Sequence, residues 1–218
     1  MNSRMFSYGE SLIKSLSEED DIELERKVQR LNKTPKKSFQ DVIVRAVLDE
    51  YHGISGINSI YNINVTGDKY TFNSMYVTNF YHSELNLAAA GTMDPKTGNW
   101  WIVFGEDNIA VGYYPKDFVH VYGAATMAWE GYTHSGSDGV SPPLGSGHRP
   151  DHIHNHAAYY RDMRFIKDNL AEEIPRDDEL TSYVAPNCHS IDDLHYSGSP
   201  KWGYIFFYGG PGGDCVPA

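Results

Sequence analysis

Four histidines crowd one short run, Gly147-His148-Arg149-Pro150-Asp151-His152-Ile153-His154-Asn155-His156. On a strand His152, His154 and His156 would share a face, and neutral imidazoles in such a row bind zinc or copper. Beside prolines, the same run reads as a solvated histidine-rich loop. That second reading is adopted, so no metal and no cofactor is expected. Two cysteines are present, Cys188 and Cys215; their number alone makes free thiols the default. No Gly-Xaa-Ser-Xaa-Gly run offers a nucleophile elbow. Trp100, Trp101, Tyr113, Tyr114 and Trp129 are aromatics of the kind that hold proline rings, although packing within a sheet is their commoner fate. Arg161-Asp162 reads as a local charge pair, and Glu106-Asp107 as a solvated hairpin turn.

The elements that must position these residues are short strands. The chain has 218 residues, enough for one domain of sandwich or barrel size. Tyr is abundant at 16, with 20 Gly and 11 Pro, a composition that favours sheets and turns. The net charge of −11 repels phosphate backbones, so no nucleic-acid partner is expected. No apolar run is long enough to span a membrane. Met1 to Gly9 lacks an apolar core, so no signal peptide is read there. Asn32-Lys33-Thr34 and Asn64-Val65-Thr66 are glycosylation triplets compatible with secretion.

Residues 1–40 differ from the rest. Ser17 before Glu18, Glu19 and Asp20 resembles a helix N-cap, and Leu24, Val28 and Leu31 recur at helical spacing. An amphipathic helix ending before Pro35, or a charged tail, fits equally. From Asp41 the period becomes two. Val42, Val44 and Ala46 alternate with Ile43, Arg45 and Val47. Further strands are expected at 57–65, 70–76 before a turn near Asn79, 100–104, 109–113, 126–133, 157–166 and 202–208. Turn chemistry separates them, as in Asp94-Pro95-Lys96-Thr97-Gly98 and Gly209-Gly210-Pro211-Gly212-Gly213. An all-β, antiparallel β-sandwich of residues 41–218 is predicted, with a short N-terminal helix.

Ordered blocks then carry a resemblance. Tyr51-His52-Gly53, Ser74-Met75-Tyr76-Val77-Thr78-Asn79 and Glu84-Leu85-Asn86-Leu87 come first. Asp94-Pro95-Lys96-Thr97-Gly98-Asn99-Trp100-Trp101 is the most specific. Val111-Gly112-Tyr113-Tyr114-Pro115, Gly145-Ser146-Gly147-His148, Tyr159-Tyr160-Arg161-Asp162, Pro186-Asn187-Cys188 and Phe207-Tyr208-Gly209-Gly210-Pro211-Gly212 follow. This series resembles the neprosin-like family of secreted plant glutamic peptidases. The resemblance implies two large antiparallel sheets, cleavage after proline at acid pH, proline-containing peptides as partners, and secretion. It implies a Cys188–Cys215 disulfide, and it makes residues 1–40 a shortened prosegment-like tail. The implied chemistry is a pair of glutamates whose pKa values split, one taking a proton from water and the other donating one. Trp101, Tyr114, Trp129 and His148 become candidate substrate contacts.

The same alignment removes the catalytic pair. The first family glutamate falls on Ala89 and the second on Thr133. Glu130, three residues before Thr133, is the remaining catalytic candidate, and an odd shift along a strand sends it to the opposite face unless a bulge intervenes. Gly91 also runs almost directly into Asp94, where the family has several more strands. Either a degenerate peptidase or a non-catalytic peptide-binding or vestigial sandwich is expected.

Overall fold

The computed structural model describes residues 39–81, 84–89, 92–105, 107, 109–116, 123–153, 155–167, 170–184 and 187–215. The expected N-terminal helix and prosegment-like tail lie outside them. The strands are β1 (Phe39–Tyr51), β2 (Gly53–Asn58), β3 (Tyr70–Tyr81), β4 (Glu84–Ala89), β5 (Thr92–Met93), β6 (Trp100–Phe104), β7 (Ile109–Tyr114), β8 (Ala124–His134), β9 (Val140–Ser141), β10 (Ala158–Ile166), β11 (Glu172–Glu173), β12 (Leu180–Val184), β13 (Ser190–Tyr196), β14 (Tyr204–Gly209) and β15 (Gly213–Asp214). A single 3-10 turn, Asp177–Glu179, precedes β12.

Two large sheets form. One runs β12-β1-β8-β3-β4, the other β13-β14-β10-β2-β5-β6-β7 with β11 beside β10, and β15 pairs with β9. Every pairing between these strands is antiparallel. The alternation that predicted β1 is the one the core uses: Val42, Val44 and Ala46 are fully buried, with Met127 and Trp129 of β8 and Val77 of β3. Facing them from the second sheet are Ile54, Trp100, Tyr160, Phe206 and Tyr208. Polar tips stitch the layers together. Trp129 Nε1 donates to the Ser55 carbonyl at 3.1 Å, and the Tyr160 hydroxyl reaches the carbonyls of Ser74 and Glu130 at 2.9 and 3.0 Å. Buried tyrosines of this kind supply apolar area while their hydroxyls satisfy backbone groups that water cannot reach.

Two sequence expectations are corrected. The strand expected over 57–65 stops at Asn58: Ser59 still donates its amide to the Tyr159 carbonyl of β10 at 3.0 Å, but the Tyr159 amide is taken by Ser59 Oγ at 2.9 Å. The turn expected near Asn79 is strand, since β3 continues to Tyr81 against β4. Between Ala89 of the first sheet and Thr92 of the second only two residues intervene.

Candidate functional site

The site grows out of the alternation of β8. Met127, Trp129, Gly131 and Thr133 face the core and are buried; Glu130, Tyr132 and His134 face outward. Glu130 sits opposite Ile43 of β1 and Ser74 of β3. No bulge interrupts β8 against β3 from His134 to Thr126, so Glu130 and Thr133 are on opposite faces. The same parity puts Asp41 of β1 and Tyr70, Phe72, Ser74 and Tyr76 of β3 on the outer face with Glu130. Position 89 pairs with Tyr76 and belongs to that face too. By register the two positions expected to be catalytic, 89 and 133, therefore fall on opposite faces of one sheet, and Glu130 shares its face with position 89.

Ser74 Oγ donates to Glu130 Oε2 at 3.2 Å. Burial pushes the Glu130 carboxyl up to about 7; the Ser74 bond opposes this, and the nearby Asp41 charge adds to it. Burial also raises Asp41. Asp41 pairs with Tyr132 while Glu130 pairs with Ile43, which makes the two carboxyls diagonal neighbours, about 7–8 Å apart at their backbones. Tyr76 is pushed up to about 12 by burial first, then by the negative charges of Glu130 and Asp41. An aromatic fence closes one side. Tyr70 stacks on His134 with centroids 4.8 Å apart and Phe72 meets Tyr132 at 4.9 Å. Two carboxyls that burial raises on one surface can hold a proton and exchange it with a bound molecule.

The other expected residues lie elsewhere. Thr133 is 0% exposed, and its hydroxyl shares a 2.9 Å hydrogen bond with that of Ser141. Trp129, expected as a substrate contact, is 0% exposed; it is a core residue, because its face of β8 meets the second sheet. Trp101 packs against Tyr113 at 5.0 Å, while Tyr114 is half-buried against the core; both belong to the eight-stranded sheet. His148 lines a hollow of about 360 Å³ with Tyr61, Ser146, Asn155 and His156. A second hollow of about 250 Å³ shares Tyr61 and is bounded by Ile60, Ile63, Asn73 and Phe72, so Phe72 links this groove to the aromatic fence. Asp41, Ser74, Tyr61 and Phe72 were not expected as site residues, although the period-two run through Tyr70 and Tyr76 was a usable signal for Phe72 and Ser74.

The histidine run is no strand. His152 and Asn155 have left-handed backbones with φ of 62° and 73°. His156 Nδ1 contacts Asp151 at 2.9 Å and His152 Nε2 contacts Asp192 at 3.3 Å. His154 lies outside the described residues, and among the described residues no three potential ligands converge on a metal-sized site. Arg161 and Asp162 do not pair as expected. Asp162 binds Arg164 at 2.9 Å, and Arg161 donates to the Lys201 carbonyl at 2.7 Å; β10 is bulged against β2 between Arg161 and Arg164, and Asp162 there takes a left-handed φ of 50°.

Cys188 and Cys215 form a disulfide, with Cα atoms 5.2 Å apart. Next to it His189 is 2% exposed. Neither ring nitrogen makes a well-formed hydrogen bond, although the Pro142 carbonyl lies near enough to favour the charged form. Burial dominates and lowers the imidazole to about 4, with Arg149 adding a smaller push in the same direction. No helix among the described residues is long and apolar enough to cross a membrane. A family model described as Neprosin matches residues 57–211, more than half of the chain.

Proposed function

Because the chain belongs to the Neprosin family, we propose that it is a peptide-binding sandwich that has lost the family's glutamate pair and holds proline-containing peptides without cutting them. The observation that carries this reading is the pair of expected catalytic positions. One is Ala89, and the other is Thr133, whose side chain is sealed in the core. Neither can move a proton to or from water at the outer face. The groove lined by Tyr61, Phe72 and His148 supports the binding half, since flat aromatic walls suit proline rings. The disulfide supports export to an oxidising compartment, where such bonds persist.

A second reading has its own observation: Glu130 and Asp41 share a face, and Glu130 holds its proton up to about pH 7. Here Asp41 takes the proton from water and the protonated Glu130 donates to the leaving amine, the division of labour of a general base and a general acid. One experiment separates the two. Folded protein, checked by circular dichroism, is incubated at acid pH with a proline-rich peptide, and both binding and cleavage are followed, the latter by mass spectrometry. Binding with no cleavage is expected. Cleavage after proline that disappears in Glu130→Gln and Asp41→Asn would replace the first reading with the second. Neither binding nor cleavage would leave a vestigial sandwich.

A further inference from the structure

Ser59 and Asp68 fasten the two ends of a stretch that belongs to no strand. The Ser59 amide donates to the Tyr159 carbonyl at 3.0 Å, and Asp68 Oδ2 accepts the Ser137 amide at 3.0 Å. Between them, among the described residues, no backbone hydrogen bond ties down residues 60–66. Burial nevertheless alternates. Tyr61, Ile63 and Val65 are half-buried, whereas Asn62, Asn64 and Thr66 are exposed. The Tyr61 hydroxyl holds the inner side by donating to the Ala157 carbonyl at 3.2 Å, and Tyr61 and Ile63 line the hollow beside Phe72. Asn64 and Thr66, two residues apart, turn the other way, into water. Beyond them the chain turns at Gly67, with φ +74°, where an added Cβ would meet no atom within 4 Å. Asn64-Val65-Thr66 is one of two Asn-Xaa-Ser/Thr triplets in the chain; the other, Asn32-Lys33-Thr34, lies outside the described residues.

We propose that Asn64 is the acceptor site for an N-linked glycan, attached when the chain enters the secretory lumen; the inference rests on the export reading above. The donor is an oligosaccharide joined through pyrophosphate to a polyprenol. The Asn64 amide nitrogen attacks the first sugar carbon. A C–N bond forms, the C–O bond to pyrophosphate breaks, the amide gives up one proton, and the polyprenyl pyrophosphate leaves; nothing is oxidised or reduced. The transferring enzyme recognises the Thr66 hydroxyl together with the asparagine amide, which is why the triplet and not the asparagine alone marks a site. It must therefore reach both side chains and the backbone between them. A triplet inside a ladder has that backbone already bonded to its neighbours. Asn64 to Thr66 is free of that obstacle, and its two acceptor side chains share the solvent side of a surface loop. A glycan here also sets a hydrated group near Ile60, which is 80% exposed, while the side of the segment that carries Tyr61 and Ile63 stays uncovered.

The test places the full chain behind a heterologous secretory leader in cultured eukaryotic cells, with Asn32→Gln throughout, and collects cells and medium together. Intact mass is read before and after peptide-N-glycosidase, and the peptide spanning residue 64 is sequenced by mass spectrometry for the deamidation that enzyme leaves at its site. The expected result is one glycan per chain, lost completely in Asn64→Gln and in Thr66→Ala and retained in Thr66→Ser. All three substitutions are at exposed positions, so circular dichroism spectra of the variants should coincide. An unmodified Asn64 in disulfide-bonded wild type overturns the proposal, as does a glycan that survives Thr66→Ala. The added leader supplies export in this experiment, so a negative result is a failure of the site and not of the export reading. Export is read separately, by locating the native protein in fractionated source tissue with an antibody; a native protein confined to the cytosol would overturn the export reading and leave the leader-directed result standing.

Discussion

Replacing Glu130 with glutamine should stabilise the protein at pH 8 and do nothing at pH 4. The side chain is half-buried on β8, with Ser74 as its hydrogen-bond donor. Its carboxyl is raised from 4.5 to about 7. A raised folded-state pKa means that the native protein holds a proton that the unfolded chain has released. The associated stability is fully present below pH 4.5 and is lost as pH rises through 7. A shift of this size corresponds to roughly 3 kcal/mol, and partial contact with water reduces it to about 2 kcal/mol. Glutamine imitates the protonated acid and keeps an oxygen for Ser74, so the variant avoids the cost of a buried charge. At about 2–4 °C per kcal/mol for a domain of this size, the variant should melt about 4–8 °C above wild type at pH 8. The gap should shrink through pH 7 to 4.5 and close below it. The assay is thermal or urea denaturation of both proteins over pH 4 to 8. Comparing them at each pH cancels every titration they share. A gap that is constant across the range, or one that widens on acidification, would refute the account of Glu130.

His189 should act in the opposite direction. Its folded-state pKa is depressed from 6.5 to about 4, so wild-type stability contributed by the neutral ring falls as pH drops from 6.5 to 4, by up to roughly 3 kcal/mol. In His189→Gln this acid loss should flatten, whatever the variant's offset at pH 8, as read from urea midpoints at several pH values. The Cys188–Cys215 bridge spans 27 residues in sequence, and removing it by Cys188→Ser with Cys215→Ser should cost about 3 kcal/mol in denaturant unfolding. Gly145→Ala should cost at least about 2 kcal/mol, because Gly145 has φ +66° and an added Cβ would lie 2.4 Å from that of buried Ala158; a melting temperature unchanged within error would contradict that reading.

Local pattern carried much of this protein into view. The alternation of Val42, Val44 and Ala46 marks an inward face because side chains on a strand alternate whatever its neighbours are. The same rule separates Glu130 from Thr133 without any knowledge of the partner strands, and it holds in the structure because β8 runs unbulged against β3. The antiparallel sandwich was legible for a related reason: many short period-two segments with turn residues between them have few other ways to bury one face each. Strands at 180–184 and 190–196 went unread, since LTSYV and SIDDLHY are edge strands with weak apolar alternation. Only the tertiary structure decided what surrounds Glu130. Asp41 and Ser74 lie 89 and 56 positions away in the chain, and they meet Glu130 because β1 and β3 both dock on β8. That docking is chosen by the joint burial of two sheets, with Trp129 and Tyr160 crossing between them. A strand's own sequence says which residues share its face; which strands lie beside it depends on how the whole apolar surface closes.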